Sequence, residues 1–142
     1  VVTDGQPEPA FTQDKELHYH PTTWPGARIP HSWLFDSAGH KVSTLDLTGH
    51  GRFTLLTGLG GEAWCDAAIA IGVALGIHID CHVIGPRQTY VDHTGDWARA
   101  REVEDAGCIL VRPDHHVAWR ADTISDAPEA ALSRVLKAIL AV

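Results

Sequence analysis

The chain has 142 residues, 44% of them hydrophobic and 20% charged, which suits one globular domain with a core of its own. Its 18 acidic against 11 basic residues give a formal charge of −7. That balance argues against nucleic acid or an anionic membrane as partner, because phosphate binding is driven by Lys and Arg displacing counterions. No apolar run reaches transmembrane length.

Val1 to Glu16 is polar, carries Pro7 and Pro9 and shows no period, so residues 1–17 read as a flexible lead-in to a domain over 18–142. The start lacks a basic and apolar leader, and the sequence contains no methionine, which points to a piece of something longer. Next comes LHYHPTTWPGARIPHSWLF. Pro21, Pro25 and Pro30 each keep the preceding residue out of a helix, which predicts an extended arm lying over a surface outside the core. Trp33–Phe35 and Val42–Leu47 flank a turn containing Gly39, as two strands of a hairpin would.

Arg52 to Gly76 is the organising stretch. Phe53–Leu56 reads as a strand covered on both faces, Gly58, Gly60 and Gly61 break it, and Ala63–Leu75 is apolar nearly all round, as in a helix packed on a sheet. From Ile77 to Val83 apolar residues alternate with His78, Asp80 and His82, the pattern of a half-buried edge strand. Together these form a parallel βαβ unit. Trp97, Ala100, Val103 and Ala106 fall on a helical stripe, with Gly107 as its terminator. Cys108–Val111 and Val117–Arg120 then form an antiparallel hairpin, with Pro113 and Asp114 at the centre of a type I turn. The last helix has Asp126 and Glu129 at capping-box spacing, Pro128 in its first turn, and an apolar face of Leu132, Val135, Leu136, Ile139 and Leu140. The sum is an α/β fold, a thioredoxin-like mixed sheet (βαβ-α-ββα) preceded by an extended N-terminal arm.

Four constellations could carry chemistry. Gly58, Gly60 and Ala63 fit G-x-G-x-x-(G/A), with Asp80 at the distance of a ribose-binding acid; the plainer reading is a tight turn with close strand–helix approach. Trp64 and Cys65 stand where a thioredoxin-like fold carries its redox pair, but the partner position holds Ala68, which leaves no dithiol. The three cysteines, Cys65, Cys81 and Cys108, therefore read as reduced core residues of a cytosolic protein. Ten histidines, among them the pairs His18/His20, His78/His82 and His115/His116, find no third and fourth ligand at a known spacing and read as solvated or hydrogen-bonded imidazoles. No G-x-S-x-G, phosphate loop or H-E-x-x-H is present.

Longer blocks are more specific. PTTWPGARIPHSWL, STLDLTGHGRFTLLTGLGGEAW, IGPRQTYVD and GCILVRPDHHVAWRA, in that order across about His18 to Arg120, closely resemble the C-terminal domain of flavin-dependent phenol hydroxylases, nearest to the 2,4-dichlorophenol 6-monooxygenase group. The resemblance implies a cytoplasmic parent with an FAD-binding domain, a substrate domain and a thioredoxin-like tail that has lost its redox cysteines. In such a parent NADPH reduces the flavin, and a flavin hydroperoxide hydroxylates a phenol. The family's FAD and NADPH contacts have no counterpart here, so the resemblance implies no catalytic, cofactor-binding or metal residue in this piece. It implies a structural domain, packed on the missing FAD and substrate domains and contributing to a homo-oligomer. Arg28, Pro30, His31 and Trp33, in the P-G-A-R-x-P-H block, are the candidate interface residues; their plainer role is shielding a sheet edge. Two other classes stay open, a stand-alone monothiol enzyme and a small dinucleotide- or metal-binding module.

Overall fold

Strand β3 (Phe53–Thr57) lies inside a four-stranded sheet with its neighbours β4 (Ile79–Val83), β6 (Cys108–Val111) and β7 (Val117–Ala121), in the order β4-β3-β6-β7. The structure is a computed structural model and describes residues 23–86 and 88–140. β4 runs parallel to β3, from Phe53↔Ile79 to Thr57↔Val83, and helix α2 (Glu62–Leu75) makes the crossover between them. β6 and β7 are antiparallel, and helix α4 (Pro128–Leu140) returns beside α2. This is the mixed α/β order that the sequence predicts, with β4 at an edge.

β3, β6 and β7 are buried on both faces, whereas the edge strand β4 is only half-buried and alternates apolar with polar residues. Leu55, Cys108, Leu110 and Trp119 pack against Trp64, Ala67, Ala68 and Ile71 of α2 and Leu132, Val135 and Leu136 of α4. Leu56, Ile109, Val111 and Val117 face the other way, toward Ile29, Leu34, Leu47, Ile84 and Trp97. A bulge at Leu110/Val111 lets Val117 serve one face and Trp119 the other.

That second face is covered by irregular pieces. β1 (Trp33–Asp36), β2 (Lys41–Ser43) and β5 (Tyr90–Val91) form a small antiparallel sheet in the order β2-β1-β5, joined by the short helices α1 (Thr44–Leu47) and α3 (Asp96–Ala100). Several expectations are corrected here. The strand expected to run to Leu47 stops at Ser43, whose hydroxyl accepts from Leu45 N at 3.1 Å while Asp46 accepts from Ser43 N at 2.9 Å; this capping box turns the chain into α1. The helix expected through Ala106 stops after α3, and Glu102 takes φ 65°. Gly107 directly precedes β6 instead of ending a helix, and a Cβ there would lie 2.4 Å from Ala121 O. The arm also differs, because Ile29 (2% exposed) belongs to the core.

The two other expectations on local structure stand differently. The turn before β7 is as predicted: His115 N donates to Arg112 O at 3.0 Å across Pro113 and Asp114. At α4, Pro128 occupies the first helical position, so Asp126 is too early to be the cap, and Ala127 N donates to Ser125 Oγ at 3.1 Å.

Candidate functional site

The arm is fixed to the edge of β7 through its backbone. Gly26 N donates to Val117 O at 2.8 Å, Val117 N to Ala27 O at 2.8 Å and Ile29 N to His115 O at 2.7 Å, and Arg28 bridges to His116 in antiparallel sense. These bonds cover carbonyls and amides that an edge strand would otherwise present to other chains. Further on, Thr44 Oγ1 donates to Pro30 O at 2.8 Å and accepts from Ser32 N at 3.0 Å, which fixes the turn from arm to β1.

This anchoring divides the four candidate residues. Pro30 is buried, while Arg28, His31 and Trp33 point outward. His31 and Trp33 meet edge to face with ring centroids 4.6 Å apart, and His31 Nδ1 lies 2.6 Å from Ser43 Oγ. Lys41 Nζ stands 4.6 Å from the Trp33 ring centre, so the exposed indole is held between an imidazole and a cation. Arg28 sits beside the β7 edge, and among the described residues no hydrogen bond or ion pair is made by its guanidinium. The structure therefore brings His31 and Trp33 together and sets Arg28 apart as a second outward group.

A buried polar knot ties the same arm to the sheet. Arg120 (6% exposed) pairs with Glu102 at 3.0 Å, Thr23 N donates to Glu102 Oε1 at 2.8 Å, and the Arg120 guanidinium lies 5.2 Å from the Trp24 ring. Thr23 also donates from its hydroxyl to Arg101 O. Sequence reasoning missed this set, since no local spacing links residues 23, 102 and 120.

The glycine turn after β3 is occupied by the chain itself. A Cβ at Gly58 would lie 2.7 Å from Asp105 O, and one at Gly61 would lie 2.0 Å from Thr57 Oγ1 and 3.1 Å from Ala106 O. Gly58 N donates to Asp105 O at 2.8 Å, and Trp64 Nε1 to Ala106 O at 3.0 Å. Asp80 points to His78 (2.9 Å) and Arg52 (3.4 Å). The turn thus gives close approach between segments, the plainer of the two readings.

The cysteine reading is overturned. Cys65 in the first turn of α2 and Cys81 in β4 are joined by a disulfide, with Cα atoms 5.6 Å apart. Looking for a partner along the helix finds only Ala68; the crossover instead lays the helix start over a strand residue 16 positions later. Cys108 is free and fully buried, and burial pushes its thiol pKa far up.

The described imidazoles mostly have partners. His115 Nδ1 lies 2.7 Å from Thr48 Oγ1, His50 Nε2 lies 2.8 Å from Asp46 O, and His116 Nδ1 lies 3.0 Å from Asp114 O. The His82 ring meets Tyr90 at 5.3 Å, and burial lowers its pKa against the opposing pull of Asp80. His18 and His20 lie outside the described residues, as does the lead-in over 1–17. Among the described residues no three His, Cys, Asp or Glu side chains are grouped to hold a metal ion.

Against this geometry, the comparisons decide the family. The model of the C-terminal domain of aromatic-ring hydroxylases matches residues 22–141. The chain belongs to that family. It is 50% identical over 136 residues to a phenol 2-monooxygenase of Pseudomonas sp. (strain EST1001), covering 96% of this chain and 22% of that protein. It is 47% identical over 140 residues to a 2,4-dichlorophenol 6-monooxygenase of Delftia acidovorans, covering 96% of this chain and 24% of the relative. The crystal structure of the flavin-dependent monooxygenase PieE in complex with FAD and substrate matches with a TM-score of 0.90 and 50% identity, over 99% of this chain and 24% of that one. This aromatic-ring hydroxylase domain therefore spans about a quarter of the length of the relatives it matches, and no helix among the described residues is long and apolar enough to cross a membrane.

Proposed function

We propose that this domain is the C-terminal structural part of a cytoplasmic, FAD- and NADPH-dependent hydroxylase of phenols or chlorophenols, and that it does not hydroxylate by itself. The observation that carries the reading is the near-complete match of this chain to the C-terminal domain of aromatic-ring hydroxylases and to about a quarter of flavin monooxygenases, together with a glycine turn packed against Asp105 and Ala106. The flavin and nicotinamide are then held by the missing FAD and substrate domains, and the phenol is oxidised there.

In this reading Arg28, His31 and Trp33 meet the missing domains or a second subunit, while Pro30 holds the arm in place from inside. Trp33 is 39% exposed although it is large and apolar, and outward Trp and Arg side chains on one arm are the residue types of an interface centre. The test is phenol-dependent NADPH oxidation by the full-length gene product. Activity in the long protein and none in this chain supports the reading; a long protein that neither binds FAD nor oxidises NADPH with any phenol refutes it.

A further inference from the structure

We propose that Cys65 and Cys81 form a thiol–disulfide exchange site whose substrate class is a small or protein dithiol. Neither cysteine is fully enclosed: both residues are half-buried, Cys81 packing in part against the core, whereas Cys108 is completely buried. Cys81 lies on β4, the edge strand, and Cys65 on the flank of α2 that continues through Ile69, 64% exposed, into an open groove against Ile77 and Ile79. The groove's lining ends at Ala68 and Ile69, one helical turn from Cys65, and a reductant approaches the pair along that flank.

The position also sets the chemistry. Cys65 is the fourth residue of α2, where the positive end of the helix stabilises a thiolate and makes it the better leaving group. One thiolate of the reductant attacks Cys81 Sγ, the Cys65–Cys81 bond breaks, and Cys65 leaves as thiolate. The second thiol of the reductant then attacks the mixed disulfide, closes its own ring and releases Cys81. Two electrons and two protons pass from the dithiol to the pair, leaving one oxidised reductant and two protein thiols.

Opening the bond leaves the fold standing, because both elements are held by other contacts. β4 keeps five paired positions with β3 and its buried Ile79, and α2 keeps Trp64, Ala67, Ala68 and Ile71 in the core. The site is therefore built to cycle, not only to staple.

The experiment is thiol labelling of the folded 142-residue chain with iodoacetamide, followed by peptide mapping. After oxidation, no label should enter; after dithiothreitol, Cys65 and Cys81 should each take one, Cys108 none, with circular dichroism unchanged and the bond restored by oxidised dithiothreitol. In Cys65→Ser, Cys81 should label without any reductant. Two labels on the chain after the oxidising step, or a cross-link that opens only when denaturant has unfolded the chain, would overturn the proposal.

Discussion

Both faces of the four-stranded sheet are buried, but they are covered in opposite ways. One lies under α2 and α4, two regular helices whose apolar stripes recur at helical spacing; the other lies under a proline-broken arm, a small sheet and two short helices. Leu55 and Leu56, adjacent in sequence, go one to each face. Burial alone therefore does not require regular structure. An irregular cover needs its polar backbone tied down, here by the bonds to Val117 and His115 and by the Thr23–Glu102–Arg120 knot. It also leaves outward groups free for a partner, which a helix packed into a core does to a lesser degree.

Substitutions can break this comparison. The largest loss is expected for Trp64→Ala on the helical face, where the ring is fully buried, stacks edge to face on Trp119 and donates to Ala106 O; about 3–5 kcal/mol should disappear in urea unfolding. Ile29→Ala on the arm should cost about 2–5 kcal/mol in the same assay, since the side chain is just as enclosed. A loss within about 0.5 kcal/mol, the usual range for a surface position, would show that the arm only rests on the sheet.

Smaller effects sharpen it. Gly58→Ala should cost about 1–3 kcal/mol, because the new methyl meets the backbone of Asp105. Adding FAD or NADPH to the wild-type chain should leave its melting temperature unchanged; a rise would mean that the turn takes a nucleotide after all. At the foot of β7, the hydrogen bonds from Arg112 hold the Asp114 carboxyl down to about 2, against 3.8 for an ordinary aspartate. A depressed carboxylate pKa adds stability above the ordinary value, and that part is lost as pH falls through about 2. With the side chain half exposed the effect stays below about 1 kcal/mol, so Asp114→Asn should flatten the acid limb of the stability curve by no more than that.

Legibility in the sequence follows the same division. Strand–turn–helix–strand around β3, the β6–β7 hairpin and the apolar face of α4 were readable, because each repeats at the period of its element. The arm was misread because prolines report backbone restriction and not burial, and Ile29 is a single apolar residue with no period around it. The helix expected from Trp97 to Ala106 failed at Glu102, whose positive φ is imposed by its tertiary bonds to Thr23 and Arg120. Cys65 and Cys81 are neighbours only because of the crossover, so no spacing along the helix could pair them. In the candidate interface, the motif block named the four residues, but only the packing separates inward Pro30 from outward Arg28, His31 and Trp33.

The smallest stability change belongs to the residue with the largest expected functional weight. Trp33→Ala should shift unfolding by less than about 0.5 kcal/mol, since the indole is an exposed group whose ring contacts among the described residues are His31 and Lys41. Hydroxyl-radical footprinting of Trp33, in this chain alone and in the proposed full-length hydroxylase, reads the interface directly. Several-fold lower oxidation of Trp33 in the long protein is the predicted result, and equal oxidation in both would contradict the role given to the arm.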